Sequence, residues 1–322
     1  MRILVTGGVG YIGSHTVREL LAGGEAVVIL DRRPLPADSP LAGVPAIVVD
    51  VADTATVTRV LADHAIDAVI HFAGDKSVAE SMRDPGLYFR NNLGGSLSLL
   101  DAMVAAGTRR IVFSSSCSVY GEPPRSPVDE SAPVAPISPY AESKAMVERA
   151  LRWYGEGHGI RSVSLRYFNA AGAHAEGDLG EDWDTSTMLI PALLKAAAGR
   201  RPPVELFGTD HPTPDGTAIR DYVHVMDLAE AHVLAVRSLP DVTAEVVLNL
   251  GTGTGRSVRE VVALVEAETG RPVPATWVAR RPGDPAAVWA DAALARRILG
   301  WAPRYDLGDM VRTAWRWHSS QP

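Results

Sequence analysis

At 322 residues the chain can bury a large core, as one large domain or two closely joined ones. Its 31 basic and 38 acidic side chains give a formal charge of −7, and the arginines form no basic tract, so nucleic acid is not an expected partner. No apolar run approaches a membrane span, the opening residues lack a signal-peptide pattern, and a single cysteine, Cys117, excludes an internal disulfide. The expected setting is the cytoplasm, with no membrane contact.

In chain order, residues 2–6 read as a strand and 16–22 as a helix, 26–30 and 46–49 as strands and 57–63 as a helix. Residues 68–72 are a strand, 95–106 a helix, 111–114 a strand, 138–154 a helix with Pro139 suited to its first turn, and 161–167 a strand. Short β-branched runs alternating with helical spacing predict an α/β fold: a Rossmann-type parallel sheet with helices on both faces. Beyond Asn169 come a glycine-rich acidic stretch over 172–184, a helical run near 189–198 and an irregular loop over 208–220. A strand or loop and a helix follow over 222–236, then a strand over 246–250 and a helix over 258–269. The expected division is a nucleotide-binding domain over 1–169, with returning segments from 221–250, and a smaller C-terminal α/β substrate-binding region over 170–322.

Gly7, Gly10 and Gly13 follow the first strand and open the first helix, the context in which a G-x-x-G-x-x-G pattern binds a dinucleotide. Gly7 suits a tight turn, Gly10 leaves room for pyrophosphate and Gly13 lets helix and strand pack closely, with Tyr11 and Ile12 between them. Asp31, closing the second strand, suits an adenosine ribose and opposes a 2′-phosphate, which favours NAD over NADP; Arg32 and Arg33 pull the other way. Asp50 and Val51 are candidates to border the adenine. Phe72, Ala73 and Gly74 bring small size and backbone close to the cofactor, Lys76 can approach its phosphate or ribose groups, and Asn91 offers a polar contact.

Tyr140 and Lys144 set a phenol and an ammonium one helical turn apart. Ser116 leaves a strand in a run of serines, where its hydroxyl can hold a substrate oxygen. These three are the expected catalytic residues. The nine histidines show no compact ligand spacing with carboxylates or cysteines, so no metal is expected.

The ordered set TGGVGYIGSH (6–15), FSSSCSVYG (113–121), SPYAESK (138–144), LRYFNAAGAH (165–174) and DGTAIRDYVHVMDLA (215–229) resembles the extended short-chain dehydrogenase/reductase superfamily. Within it the chain is most similar to the UDP-glucose 4-epimerase (UDP-galactose 4-epimerase) family, over nearly its whole length. The resemblance implies reversible, NAD-dependent 4-epimerisation of UDP-glucose and UDP-galactose through a 4-keto intermediate. Tyr140 would be the base, Lys144 would lower its pKa and bind the nicotinamide ribose, and Ser116 would hold the oxygen at C4. It further implies that Arg220 and Arg281 bind pyrophosphate, that Asp284 takes a uridine ribose hydroxyl, that Asn169 lies near the glycosyl phosphate and Phe207 near uracil, and that Tyr167 bridges sugar and cofactor. Lys76 and Leu189 would also contact substrate, and the family arrangement is a homodimer built on the helices from about Leu93 and from Tyr140.

Two departures stand out. Met188 precedes Leu189 where relatives often have asparagine, and Val288 stands where a bulky tyrosine lines the sugar cavity of the familiar bacterial enzyme, leaving volume for the acetamido group of UDP-N-acetylglucosamine or UDP-N-acetylgalactosamine. Competing readings are a nucleotide-sugar 4,6-dehydratase, whose acidic pair is replaced here by Cys117 and Ser118, a generic alcohol dehydrogenase, and a non-catalytic cofactor-binding regulatory protein.

Overall fold

A computed structural model of the chain describes residues 1–280 and 284–320. The opening βαβ units are β1 (Arg2–Thr6), α1 (Tyr11–Ala22), β2 (Ala26–Asp31), β3 (Ala46–Val48), α2 (Thr54–Asp63) and β4 (Ala68–His71). Two short helices, α3 (Val78–Arg83) and α4 (Pro85–Tyr88), run through a π-helical turn (Phe89–Gly94) into α5 (Gly95–Ala106). Then come β5 (Arg110–Ser114), a 3₁₀ turn (Cys117–Tyr120), α6 (Pro139–His158), β6 (Arg161–Tyr167) and β7 (Asn169–Ala171). The remainder is α7 (Leu189–Ala197), β8 (Val204–Phe207), β9 (Ile219–His224), α8 (Val225–Ser238), β10 (Glu245–Leu250), β11 (Gly255–Ser257), α9 (Val258–Thr269), β12 (Ala275–Val278), β13 (Ala287–Val288), α10 (Ala293–Leu299) and α11 (Leu307–Ser320).

A seven-stranded sheet in the order β10-β6-β5-β4-β1-β2-β3 is parallel throughout. Its inner strands β1 and β2 are apolar on both faces because helices cover both, while β6 buries Ser162, Ser164 and Arg166. Along β1 the side chains alternate: Ile3 and Val5 join Val17 and Leu20 of α1 and Leu228 and Ala235 of α8, whereas Leu4 faces Val57 of α2, Leu99 and Met103 of α5 and Val147 of α6. The chain therefore returns to the large sheet after residue 220, through α8 and β10. A third core joins α7, α9 and α11 over β8, with Leu193, Val265, Met310 and Val311 buried. Short strands carry this smaller region: β7, β11 and β13 gather around β9, and β8 pairs with β12. Strand order reverses between β1, β2 and β4, so the crevice at the carboxyl ends of these strands opens toward the smaller region, the place where open α/β sheets take ligands.

Candidate active site

Gly7 sits at φ +71°, and a Cβ built on it would stand 2.7 Å from the Ala73 nitrogen, so only glycine permits this turn against the loop after β4. A Cβ on Gly13 would run into the Gly7 carbonyl. The helix begins at Tyr11, earlier than its apolar spacing suggests, because the glycine turn is itself its entry. Gly10 is the N-cap and provides no side-chain cap, which leaves the first amides of α1 facing the crevice as an anion seat. Asp31, at the end of β2, accepts from the Val9 and Arg33 amides at 3.1 and 3.0 Å. Uncapped amides, a glycine cradle and a carboxylate at this spacing fit a dinucleotide.

The crevice encloses about 1010 Å³, at the upper edge of the roughly 300–1,000 Å³ of single-ligand pockets, which leaves room for a second molecule beside a dinucleotide. Its walls hold all the expected glycines, Tyr11, Ile12, Asp31, Asp50, Val51, Phe72, Ala73, Gly74, Lys76 and Asn91. Ser116, Tyr140, Lys144, Tyr167, Asn169, Arg220, Asp284 and Val288 stand in the same walls. Two expected contacts are not among the described lining residues. Leu189 opens α7 and packs into the third core, so that its neighbour Met188 faces the crevice instead, and Phe207 ends β8 opposite Val278. Arg281 lies outside the described residues.

The helix α6 starts cleanly because Ser138 accepts from the Ala141 amide at 3.2 Å and Pro139 takes the first turn, where its missing N–H is not needed. Losing that cap would cost about 1 kcal/mol. Its inward face carries Tyr140, Lys144 and Glu148, at successive turns. Lys144 donates to the Ser114 carbonyl at 2.8 Å and lies 4.9 Å from the Phe113 ring centre; burial pulls its pKa down to about 8, against the opposing charge of Glu148. Burial pushes the Tyr140 phenol well above its ordinary value, Tyr167 adds to the rise, and a hydrogen bond with Ser116 pulls the other way. The expected depression by Lys144 is not found: among the chain's own groups, desolvation decides the phenol's state. The Ser116 hydroxyl accepts from the Ser118 amide at 3.2 Å and the Ser118 hydroxyl at 2.8 Å, which leaves its own proton for Tyr140.

Several functional neighbours escape a reading of the sequence. Asn92, within the π-helical turn, accepts from the Asp75 amide at 2.7 Å and donates to the Asp75 carbonyl at 3.0 Å and to Ser143 at 3.1 Å, fixing the loop after β4 against α6. Lys76 reaches across the crevice to Glu181 at 2.7 Å. Glu148 pairs bidentately with Arg166 at 2.9 and 2.6 Å and accepts from Ser115 at 2.6 Å. Its position one turn after Lys144 was the available signal. Arg220 and Asp284, expected to act on different parts of a nucleotide, pair with each other. His174, Glu176 and Asp178 converge outside the crevice, where Arg18 donates to both carboxylates. The Cys117 thiol is pushed up to about 12 by burial and is unreactive near neutrality.

A sequence profile of the NAD dependent epimerase/dehydratase family matches residues 3–251. The UDP-glucose 4-epimerase of Azospirillum brasilense is 49% identical over 99% of this chain and 92% of its own. The crystal structure of the Bifidobacterium longum UDP-glucose 4-epimerase in complex with NAD+ and UDP is 40% identical, with a TM-score of 0.95 over 100% of this chain and 99% of that one. The UDP-Glc/GlcNAc 4-epimerase of Campylobacter jejuni is 34% identical, with a TM-score of 0.85 over 99% of each chain. With its glycine turn, terminal aspartate and buried tyrosine–lysine helix, the chain belongs to the NAD dependent epimerase/dehydratase family.

Proposed function

We propose that the chain catalyses the reversible, NAD-dependent 4-epimerisation of UDP-glucose and UDP-galactose. The observation that carries this reading is the meeting of Ser116, Tyr140 and Lys144 with a dinucleotide seat on one side of a crevice and Asn169, Arg220 and Asp284 on the other. NAD, when bound, would supply the hydride acceptor and donor for C4, and the positive charge of its oxidised form would work against the burial that otherwise keeps Tyr140 protonated. Tyr140 takes the 4-hydroxyl proton as phenolate and returns it after the 4-keto sugar has turned over. Ser116 donates to the oxygen at C4 while Ser118 holds it in that direction. Lys144 orients the cofactor ribose as a cation.

Arg220 and Arg281 hold the pyrophosphate, Asp284 the uridine ribose, and Asn169 the glycosyl phosphate, so that only the hexose moves. Gly7, Gly10, Gly13, Tyr11, Ile12, Asp31, Asp50, Val51, Phe72, Ala73, Gly74, Lys76, Asn91 and Tyr167 seat the cofactor. The dehydratase reading needs an acid after the loop hydroxyl; Cys117 and Ser118 stand there, and a thiol near 12 does not serve. Val288, 8% exposed on β13 and paired in register with Arg220, supports acceptance of UDP-N-acetylglucosamine and UDP-N-acetylgalactosamine. The proposed assembly is a homodimer and the proposed location the cytoplasm, for which the lone cysteine suits a reducing compartment; no described helix is long and apolar enough to cross a membrane.

Proton NMR of UDP-galactose incubated with the protein and no reductant tests the reading. Signals of both hexoses should appear and be lost in Tyr140→Phe, whereas no conversion even with added NAD+ would overturn it. In the same assay the N-acetylated pair should interconvert, and Val288→Tyr should suppress that reaction selectively; equal rates in both proteins would remove the pocket argument.

A further inference from the structure

Asp31 stands next to Arg32 and Arg33 at the end of β2, where a carboxylate favours NAD and an arginine can accommodate the 2′-phosphate of NADP. The two arginines are held differently. Arg33 folds back on Asp31, its Nε 3.6 Å from that carboxylate. Arg32 turns away and donates to Asp75 at 2.7 Å. Asp75 lies in the loop after β4, and since β1 runs between β2 and β4, the pair bridges the crevice above the glycine turn.

Asp75 is a fixed anchor. Its second carboxylate oxygen accepts from Asn91 at 2.7 Å, and both its backbone amide and its carbonyl are held by Asn92. Its side chain is 18% exposed, that of Arg32 56%. So exposed an ion pair adds little to folding, and its effect falls on what can share the crevice with it.

We propose that Asp75 is a second determinant of cofactor selectivity: by holding and neutralising Arg32 it denies a 2′-phosphate the counter-ion that the sequence otherwise provides. Asp31 repels that phosphate directly and draws Arg33 toward itself, and Asp75 occupies Arg32. The inference rests on the dinucleotide seat described above.

The test is the ratio of NADP(H) to NAD(H) released on denaturing the protein as purified from its expression host, measured by chromatography. The wild type should release NAD(H) almost alone. Asp75→Ala should raise the NADP(H) share by about tenfold or more, the scale of one charge-assisted contact. Adding Arg32→Ala should cancel the gain, which separates release of Arg32 from simple loss of a negative charge. Asp75→Asn, which keeps the hydrogen bond from Asn91, should move the ratio in the same direction. An unchanged ratio in both Asp75 variants, or a gain that persists without Arg32, overturns the inference and leaves the functional reading standing. Absence of any dinucleotide from every variant, wild type included, overturns both.

Discussion

Lys144 sits at the balance between burial, which lowers its pKa to about 8, and the Glu148 carboxylate, which raises it. As an ammonium it is charged below that value, so activity that needs the cation should fall as pH rises through about 8. In Glu148→Gln the supporting charge is gone, and the alkaline limb of the kcat profile should move to lower pH. The same change strips the buried Arg166 of its partner, and breaking such a pair costs about 3–5 kcal/mol, so a fall in Tm should accompany the shift. A folded Glu148→Gln protein whose alkaline limb stays in place or moves upward would defeat the assignment. That Tyr140 and Lys144 share one helix face could be read from the sequence because they stand one turn apart, and the structure brings Ser116 to the same crevice from the end of β5. Asp75, Asn92 and Glu181 could not, since their partners are set by tertiary structure; Lys76 and Glu181 are 105 positions apart.

At the scale of elements, the inner strands β1, β2 and β5 were legible because burial on both faces makes them nearly continuous apolar runs, whereas β6 buries Ser162, Ser164 and Arg166 and is no such run. The short helices α3 and α4, the π-helical turn and the small strands β8, β11, β12 and β13 carry too few residues for periodicity to show. The proposed division near residue 170 leaves α8 and β10 with the first unit, and one buried carboxylate ties α8 to the chain's end. Asp227, in the first turn of α8, accepts from the Arg304 and Tyr305 amides at 3.1 and 3.3 Å, while Trp301 donates to its carbonyl at 2.9 Å. Burial pushes its pKa up to about 6, above the ordinary 3.8. The folded state therefore binds the proton more tightly, and this contribution to stability is complete below pH 3.8 and lost as pH rises through about 6. Asp227→Asn keeps an acceptor for only one of the two amides, which costs some stability at every pH, but it carries no group that titrates. Its Tm relative to wild type should climb as pH rises across that window, and a difference flat with pH would count against Asp227 as the source.

At the scale of the whole molecule, one face of the large sheet carries α5 and α6 side by side, joined by a 2.5 Å hydrogen bond from Tyr154 to Asp101. Their outer surfaces carry one exposed aromatic and a row of partly covered apolar side chains, of which Leu93, Val104 and Ala150 also pack on the core beneath. Trp153 is 61% exposed on α6, and Met146 and Ala150 precede it at helical spacing, partly covered; Leu93, Leu97 and Val104 form the corresponding row through the π-helical turn and α5. Two such helix pairs related by a twofold axis would make a four-helix bundle, the self-complementary interface of the proposed homodimer. Trp153 is exposed within one chain, so Trp153→Glu should leave the fold of each chain intact, as circular dichroism would show, while setting a desolvated carboxylate on each side of that interface. Sedimentation velocity at micromolar concentration should show a dimer for the wild type and a monomer, or a much weakened dimer, for the variant. A wild-type monomer would refute the assembly itself, and an undiminished dimer in Trp153→Glu would move the interface to another face of the molecule.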